Sequence, residues 1–193
     1  MPMQQSTMTP LGRPMPAFDL PDVVSGQTIA SASLDAAKPV LVLFICAHCP
    51  FTRHIEPAIR TIARDYRDRV SLLAISANDP AQVPEDSPDG LKRLALALEL
   101  NAPFLYDERG TIARAFGAEC TPECFLYDAQ RSLVYRGQID GSRPGSGGKP
   151  SGAPVRAALD ALLSGAAIDP NQRPGVGCNI KWRASAPAAS AAR

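Results

Sequence analysis

The segment Cys46 to Pro50, with cysteines at its first and fourth positions, is the feature that most constrains the fold of this 193-residue chain. It follows the apolar run 39–45, which predicts a buried strand. Apolar residues at helical spacing come after it: Ile55, Ile59, Ile62 and Tyr66. Because the amides and dipole at a helix N-terminus favour negative charge, a thiolate at this junction is stabilised. The segment therefore predicts a redox-active dithiol.

The two cysteines are expected to have different roles. We predict that Cys46 is the outer sulfur and the nucleophile, because an imidazolium or N–H group of His48 beside it stabilises a thiolate. A stabilised thiolate makes the disulfide more oxidising. Cys49 is predicted to be the more buried sulfur and the resolving thiol. His48 is accordingly the third predicted catalytic residue.

A C-x-x-C pair is also half of a zinc site, which requires two more ligands. The sequence offers four others: His54, Cys120, Cys124 and Cys178. The position beside a helix start favours a reactive pair over a structural one. We therefore predict no metal, and metal binding remains an alternative.

Composition excludes several classes of function. The net charge is +1, and no basic block is present, so neither nucleic acid nor an anionic membrane is expected as a partner. No apolar run approaches transmembrane length, and residues 1–16 lack the apolar core of a secretory signal. The odd number of five cysteines indicates a reducing compartment, and we expect a cytoplasmic protein.

The chain reads as alternating strands and helices, which predicts an α/β fold with a mixed central sheet flanked by helices. We expect residues 1–13 to be a flexible N-terminus, 14–183 to be one domain with an N-terminal strand extension, and 184–193 to be a disordered C-terminal tail. The predicted helices are 50–67, 90–100, 111–116 and 154–164. The predicted strands are 39–45, 70–76, 103–106, 124–128 and 133–139, with a short strand pair around Ser25-Gly26.

Several stretches carry a resemblance to a known family. A threonine and a proline, Thr121-Pro122, precede a predicted strand, as in the thioredoxin fold. Further matching stretches are 16–22, 46–51, 78–79, 84–88, 120–123, 135–137, 140–145 and 177–182. Together they span most of residues 11–183. The chain resembles the peroxiredoxin-like thioredoxin proteins of the redoxin (AhpC/TSA) group.

The resemblance implies a thioredoxin fold and a thiol–disulfide oxidoreductase that needs no cofactor. It implies that Pro122 follows a cis peptide bond and that the backbone at Thr121 holds a substrate chain. The partners expected are protein or small-molecule thiols and disulfides, with peroxides in the alternative of a thiol peroxidase using Cys46. Peroxiredoxins carry a threonine three residues before the peroxidatic cysteine, where this chain has Leu43 relative to Cys46, and Cys46 relative to Cys49. We therefore expect weak peroxide turnover.

The sequence leaves the roles of the three other cysteines and of Glu123 undecided. Cys120, Cys124 and Cys178 are possible additional redox thiols, and buried inert thiols are the alternative. Thioredoxins bury an acid on the strand before the dithiol, where this chain has only apolar residues, so the proton acceptor for Cys49 is not identified. Glu123 is one candidate, and a solvated loop carboxylate is the alternative. A redox sensor without turnover is a further alternative.

Overall fold

Strands and helices alternate along the chain in the computed structural model, which describes residues 3–184. The strands are β1 (Met3–Gln5), β2 (Asp19–Pro21), β3 (Thr28–Ala30), β4 (Val40–Phe44), β5 (Ser71–Ser76), β6 (Phe104–Tyr106), β7 (Cys120–Thr121), β8 (Glu123–Tyr127), β9 (Leu133–Gly137) and β10 (Val176–Asn179). The helices are α1 (Pro50–Tyr66), α2 (Pro88–Ala97), α3 (Thr111–Phe116) and α4 (Ala153–Ser164).

The central sheet has five strands in the order β6-β5-β4-β8-β9. The pairs β4–β5 and β5–β6 are parallel, whereas β4–β8 and β8–β9 are antiparallel. The predicted mixed α/β sheet is therefore confirmed. Strand β4 lies in the middle and is buried along its whole length, in keeping with its continuous apolar sequence.

Each face of β4 packs into its own apolar layer, because successive side chains of a strand point to opposite faces. Leu41 and Leu43 lie in the layer that contains the buried side of α1, including Ile59. Val42 and Phe44 lie in the other layer, which contains a cluster of aromatic rings: Phe18, Phe44, Phe116, Phe125 and Tyr127. The two layers fix β4, and with it the start of α1.

The start of α1 is set by local sequence. Pro50 occupies the first turn, where its missing N–H costs nothing, and Cys49 is the N-cap residue. Helix α2 begins at Pro88, two residues earlier than predicted, because the Ser87 hydroxyl caps it by accepting the Gly90 amide at 3.3 Å.

A second sheet, of order β1-β10-β7, was not predicted from the sequence. Residues 1–13 were expected to be flexible, but Met3–Gln5 pair with β10, which corrects the prediction for this part of the segment. The pairing partner, β10, lies near the other end of the chain, so no local sequence pattern predicts the pairing. The predicted C-terminal tail, beyond Ala184, lies outside the described residues.

No helix between residues 3 and 184 is long and apolar enough to cross a membrane.

Candidate active site

The two cysteines of the C-x-x-C segment lie between the end of β4 and the start of α1, beside the Thr121–Pro122 peptide bond. That bond is cis, as the sequence predicts. Thr121 contacts both sulfurs: its Oγ1 lies 3.1 Å from Cys46 Sγ, and its carbonyl oxygen lies 3.1 Å from Cys49 Sγ. The fold thus brings the predicted dithiol and the predicted proline turn together.

Cys49, the N-cap of α1, has the more acidic thiol of the pair. The hydrogen bond from Cys46 lowers the pKa of Cys49 most, and hydrogen bonds from Cys178 and from the Thr52 amide lower it further. Together they outweigh burial and bring that pKa to about 4. The main cause is therefore the neighbouring thiols, and one helix amide, that of Thr52, adds to their effect.

Cys46 lies four residues before the first residue of α1, and its surroundings raise its pKa instead of lowering it. Its Sγ lies 3.4 Å from His48 Nδ1. Burial raises the pKa of Cys46 well above its ordinary value, and the hydrogen bond to Cys49 and the charge of Asp86 raise it further. Both cysteines are fully buried. Burial therefore does not distinguish an outer from an inner sulfur as expected, and the hydrogen bonds make Cys49 the more acidic thiol, contrary to the acidity expected for Cys46.

Asp86 organises the segment, and the sequence did not single it out. Its Oδ1 accepts the amides of Ala47 and His48 at 2.7 and 3.1 Å. Its Oδ2 bonds to His48 Nδ1 at 2.5 Å and accepts Asn78 Nδ2 at 2.7 Å. Burial alone would raise the pKa of Asp86, but the hydrogen bonds from His48 and Asn78 lower it overall. The signal in the sequence is the stretch 84–88, which matches the family and contains this carboxylate between two prolines.

Ligand atoms of Cys46, His48 and Asp86 lie within 4.8 Å of one another, a spacing compatible with a metal ion. However, all four hydrogen bonds of the Asp86 carboxylate are already made within the chain. His54, a ligand considered in the sequence analysis, instead lies 2.8 Å from the Ser142 hydroxyl through its Nε2. A metal would have to break the network that shapes the segment, so the donor set fits an ion poorly.

Cys178 is the additional cysteine that the fold brings to the dithiol. Its Sγ lies 3.0 Å from Cys49 Sγ. Cys46, Cys49 and Cys178 form a small buried cluster that is covered by Phe51. Burial raises the pKa of Cys178 to about 12, and the hydrogen bond to Cys49 contributes to the rise.

Cys120 and Cys124 are placed differently. Cys124 lies in the apolar layer beside α1, and its Sγ lies 3.5 Å from the Gly137 carbonyl oxygen. Cys120 Sγ lies 4.0 Å from the carboxylate of Glu123. Burial raises the pKa of both thiols. No hydrogen bond described for residues 3–184 joins either of them to another sulfur.

Glu123 is buried, with 1% of its surface exposed. Its carboxylate accepts the Glu119 amide at 3.1 Å. Burial raises the pKa of Glu123 to about 7. A carboxyl group with this pKa exchanges its proton near neutral pH, but its described contacts are with the Glu119 amide and Cys120 Sγ rather than with Cys49, so the role of proton acceptor for Cys49 stays a prediction.

A buried dithiol at the start of the helix that follows the central strand, facing a cis-proline, defines a thioredoxin-fold redox protein. The family model described as "AhpC/TSA family" matches residues 11–136, and the chain belongs to that family. The resemblance inferred from the sequence is therefore confirmed.

Individual relatives agree with this family. The chain is 42% identical to an uncharacterized conserved protein of known structure from Geobacillus kaustophilus, with a TM-score of 0.92, over 96% of this chain and 99% of that one. It is 31% identical over 135 residues to the thiol:disulfide interchange protein DsbE of Pseudomonas fluorescens biotype C, covering 67% of this chain and 68% of that protein. A secreted Mycobacterium tuberculosis disulfide oxidoreductase, 18% identical with a TM-score of 0.56 over 77% of this chain and 95% of that one, shares the fold.

Proposed function

We propose that this protein is a thiol–disulfide oxidoreductase in which Cys49 attacks and Cys46 resolves. The observation that carries the proposal is the position of Cys49 Sγ at the N-cap of α1, where hydrogen bonds lower its pKa to about 4. At neutral pH such a sulfur is a thiolate, which is the reactive form in disulfide exchange. The roles are thus the reverse of those predicted from the sequence.

The reaction follows from the two thiols alone. Cys49 thiolate attacks one sulfur of a substrate disulfide, and the other substrate sulfur leaves as a thiolate. Cys46 then passes its proton to the substrate thiolate already released and attacks Cys49 Sγ, so that the first substrate sulfur leaves as a thiolate and a Cys46–Cys49 disulfide remains. Burial continues to raise the pKa of Cys46, but the hydrogen bond to Cys49, the second cause of that high pKa, is removed once Cys49 is in a mixed disulfide.

His48 and Asp86 act as positioning residues in this scheme. The Asp86 carboxylate binds the amides of Ala47 and His48 and the His48 ring, and so holds the backbone between the two cysteines in one conformation. A fixed separation of the two sulfurs favours intramolecular exchange over loss of the mixed disulfide to another thiol. Electrons are carried by sulfur, so the scheme involves no cofactor.

The substrates proposed are disulfides of proteins or small molecules, in agreement with the name of the Pseudomonas relative. The cytoplasm is the proposed compartment, where reducing conditions would return the disulfide form to the dithiol.

Serine variants test the assignment. Reduction of insulin by dithiothreitol is measured for the wild type, Cys49→Ser, Cys46→Ser and the control Cys124→Ala, which removes a buried thiol far from the exchange chemistry. We expect Cys49→Ser to abolish catalysis, and Cys46→Ser to retain the attack of Cys49 on the substrate disulfide but to form no Cys46–Cys49 disulfide. Retained catalysis in Cys49→Ser would contradict the proposal, and so would predominant alkylation of Cys46 in wild-type protein treated with limiting iodoacetamide.

A further inference from the structure

The place expected for a substrate chain is filled by the protein's own C-terminal strand. Strand β10 pairs antiparallel with β7, and Cys178 lies opposite Thr121. The approach is close, because a Cβ atom added at Gly177 would lie 1.9 Å from the Thr121 carbonyl oxygen. A residue with any side chain at this position would separate the strands. The structure thus corrects the prediction that the Thr121 backbone is available to a substrate.

The pairing of β10 with β7 places the sulfur of Cys178 beside that of Cys49. Cys178 Sγ lies 3.0 Å from Cys49 Sγ, within the buried cluster that Phe51 covers. A sulfur carried by a strand beside Thr121 lies where the sulfur of a bound substrate would have to lie. Strand β10 is also held from the other side, since Met3 of β1 pairs with Cys178.

The strand is anchored beyond Cys178 to the network of the active site. The Lys181 amide donates to Asn78 Oδ1 at 2.8 Å, and Asn78 Nδ2 donates to Asp86 at 2.7 Å. The Lys181 carbonyl oxygen accepts the Asp79 amide at 2.8 Å. The residues that shape the dithiol segment therefore also fix the position of Cys178.

We propose that Cys178 is a second exchange partner of Cys49, so that the site works with three thiols, a proposal that rests on the function proposed above. Cys178 loses its proton and attacks Cys49 Sγ of the Cys46–Cys49 disulfide. The Cys49–Cys178 bond forms, and Cys46 leaves as a thiolate that takes up a proton. The step exchanges one disulfide for another and consumes no outside oxidant.

The groups around Cys178 determine at which stage of the reaction its thiol loses a proton. Burial and the hydrogen bond to Cys49 keep Cys178 protonated while Cys49 is a thiolate. When Cys49 enters a disulfide, its negative charge disappears and the charge of Lys181, which lowers the pKa of Cys178, remains. Oxidation of Cys49 therefore removes two causes of the raised pKa of Cys178, while burial, the largest cause, remains, so the Cys178 thiol becomes more acidic once Cys49 is in a disulfide.

The test uses Cys46→Ser, in which the Cys46–Cys49 disulfide cannot form. The variant is treated with oxidised glutathione and digested with trypsin without reduction. Cleavage after Arg53, Arg156 and Lys181 places Cys49 and Cys178 on different peptides, whereas Cys46 and Cys49 stay on one. We expect the two peptides to be joined by a Cys49–Cys178 disulfide in most molecules, with two glutathione molecules released per protein.

The outcomes separate the two proposals. Glutathione that stays on Cys49 of Cys46→Ser, without the cross-link, overturns the role of Cys178 and leaves the function of Cys49 standing. No glutathione and no cross-link on Cys49 overturns both. In the double variant Cys46→Ser/Cys178→Ser we expect a stable glutathione adduct on Cys49. A disulfide from Cys49 to Cys120 or Cys124 in this variant would contradict the assignment of Cys178 as the exchange partner.

A pair of glycine variants tests the strand itself in a background with all thiols present. Gly177→Ala forces β10 away from Thr121, whereas Gly141→Ala places its Cβ in open space. We expect Gly177→Ala to lose at least tenfold of the Cys49–Cys178 cross-link while it still forms the Cys46–Cys49 disulfide. An unchanged share of the two disulfides in Gly177→Ala contradicts the role given to β10, and Gly141→Ala is expected to match the wild type.

Discussion

The buried carboxyl group of Glu123 makes a prediction about stability that can be worked out from its pKa. The side chain is 1% exposed, and burial raises its pKa to about 7 from the ordinary value of 4.5. In the unfolded chain the group loses its proton near pH 4.5, whereas in the folded protein it keeps the proton to about pH 7. The folded state therefore binds the extra proton between these two values, and its stability falls as the pH rises through them.

The size of the effect follows from the same two values. Each pKa unit corresponds to about 1.4 kcal/mol, so ionisation of Glu123 costs the folded state about 3 kcal/mol above pH 7. Glutamine has the same shape, keeps an oxygen to accept the Glu119 amide and has no proton to lose. The free energy of unfolding of Glu123→Gln, relative to the wild type, should therefore rise by about 3 kcal/mol from pH 4 to pH 8.

Urea denaturation of both proteins at a series of pH values measures this difference. Circular dichroism and the fluorescence of the single tryptophan, Trp182, are the two probes. Glu85→Gln is the matched control, because it removes the same charge from an exposed position. Parallel profiles for Glu123→Gln and the wild type between pH 4 and pH 8 would refute the reasoning, since they would show that Glu123 has the same pKa in the folded and unfolded states.

Three further outcomes are expected. Asp86→Asn should cost at least about 2 kcal/mol of stability in urea, because a buried network loses hydrogen bonds to a charged group. In the same variant, thiolate absorbance should show a lower pKa for Cys46. An unchanged pKa would mean that the Asp86 charge does not reach that sulfur. Ile59→Ala should cost about 2–5 kcal/mol in the same assay, because the Ile59 side chain is fully buried on the inner face of α1. Peroxide consumption by the reduced protein should stay below roughly 10⁴ M⁻¹s⁻¹, the low end for efficient enzymes, since Cys46 stands where peroxiredoxins carry threonine; a faster rate would favour a thiol peroxidase.

Much of the fold can be predicted from patterns in the local sequence. The apolar run of β4, the helical spacing of α1 and the proline at position 50 each act over a few residues, so the order of strands and helices could be predicted. The family stretches located the proline turn and the dithiol, and the cis bond at Thr121–Pro122 followed from the resemblance. These features depend on neighbours in the chain or on a pattern shared with relatives.

The electrostatics of the site could not be predicted in this way. Whether Cys46 or Cys49 ionises depends on burial and on the hydrogen bonds that Cys49 receives from Cys46 and Cys178, and only folding brings Cys178 to that position. The charge that disfavours the Cys46 thiolate comes from Asp86, forty residues later in the chain, and reaches it only through folding. Sequence spacing therefore predicted the cysteine pair but not which of its two thiols is the more acidic.

The sequence by itself determined that this chain builds a thioredoxin-type dithiol at the junction of a strand and a helix, because residue type and local spacing are enough to specify that junction. Only the tertiary structure decided which sulfur is acidic and that Cys178 reaches it. That contact joins residues 129 positions apart through strand pairing, whose register depends on backbone hydrogen bonds and on the missing side chain of Gly177. Backbone pairing leaves little trace in side-chain patterns, and so the third thiol became visible only in the folded chain.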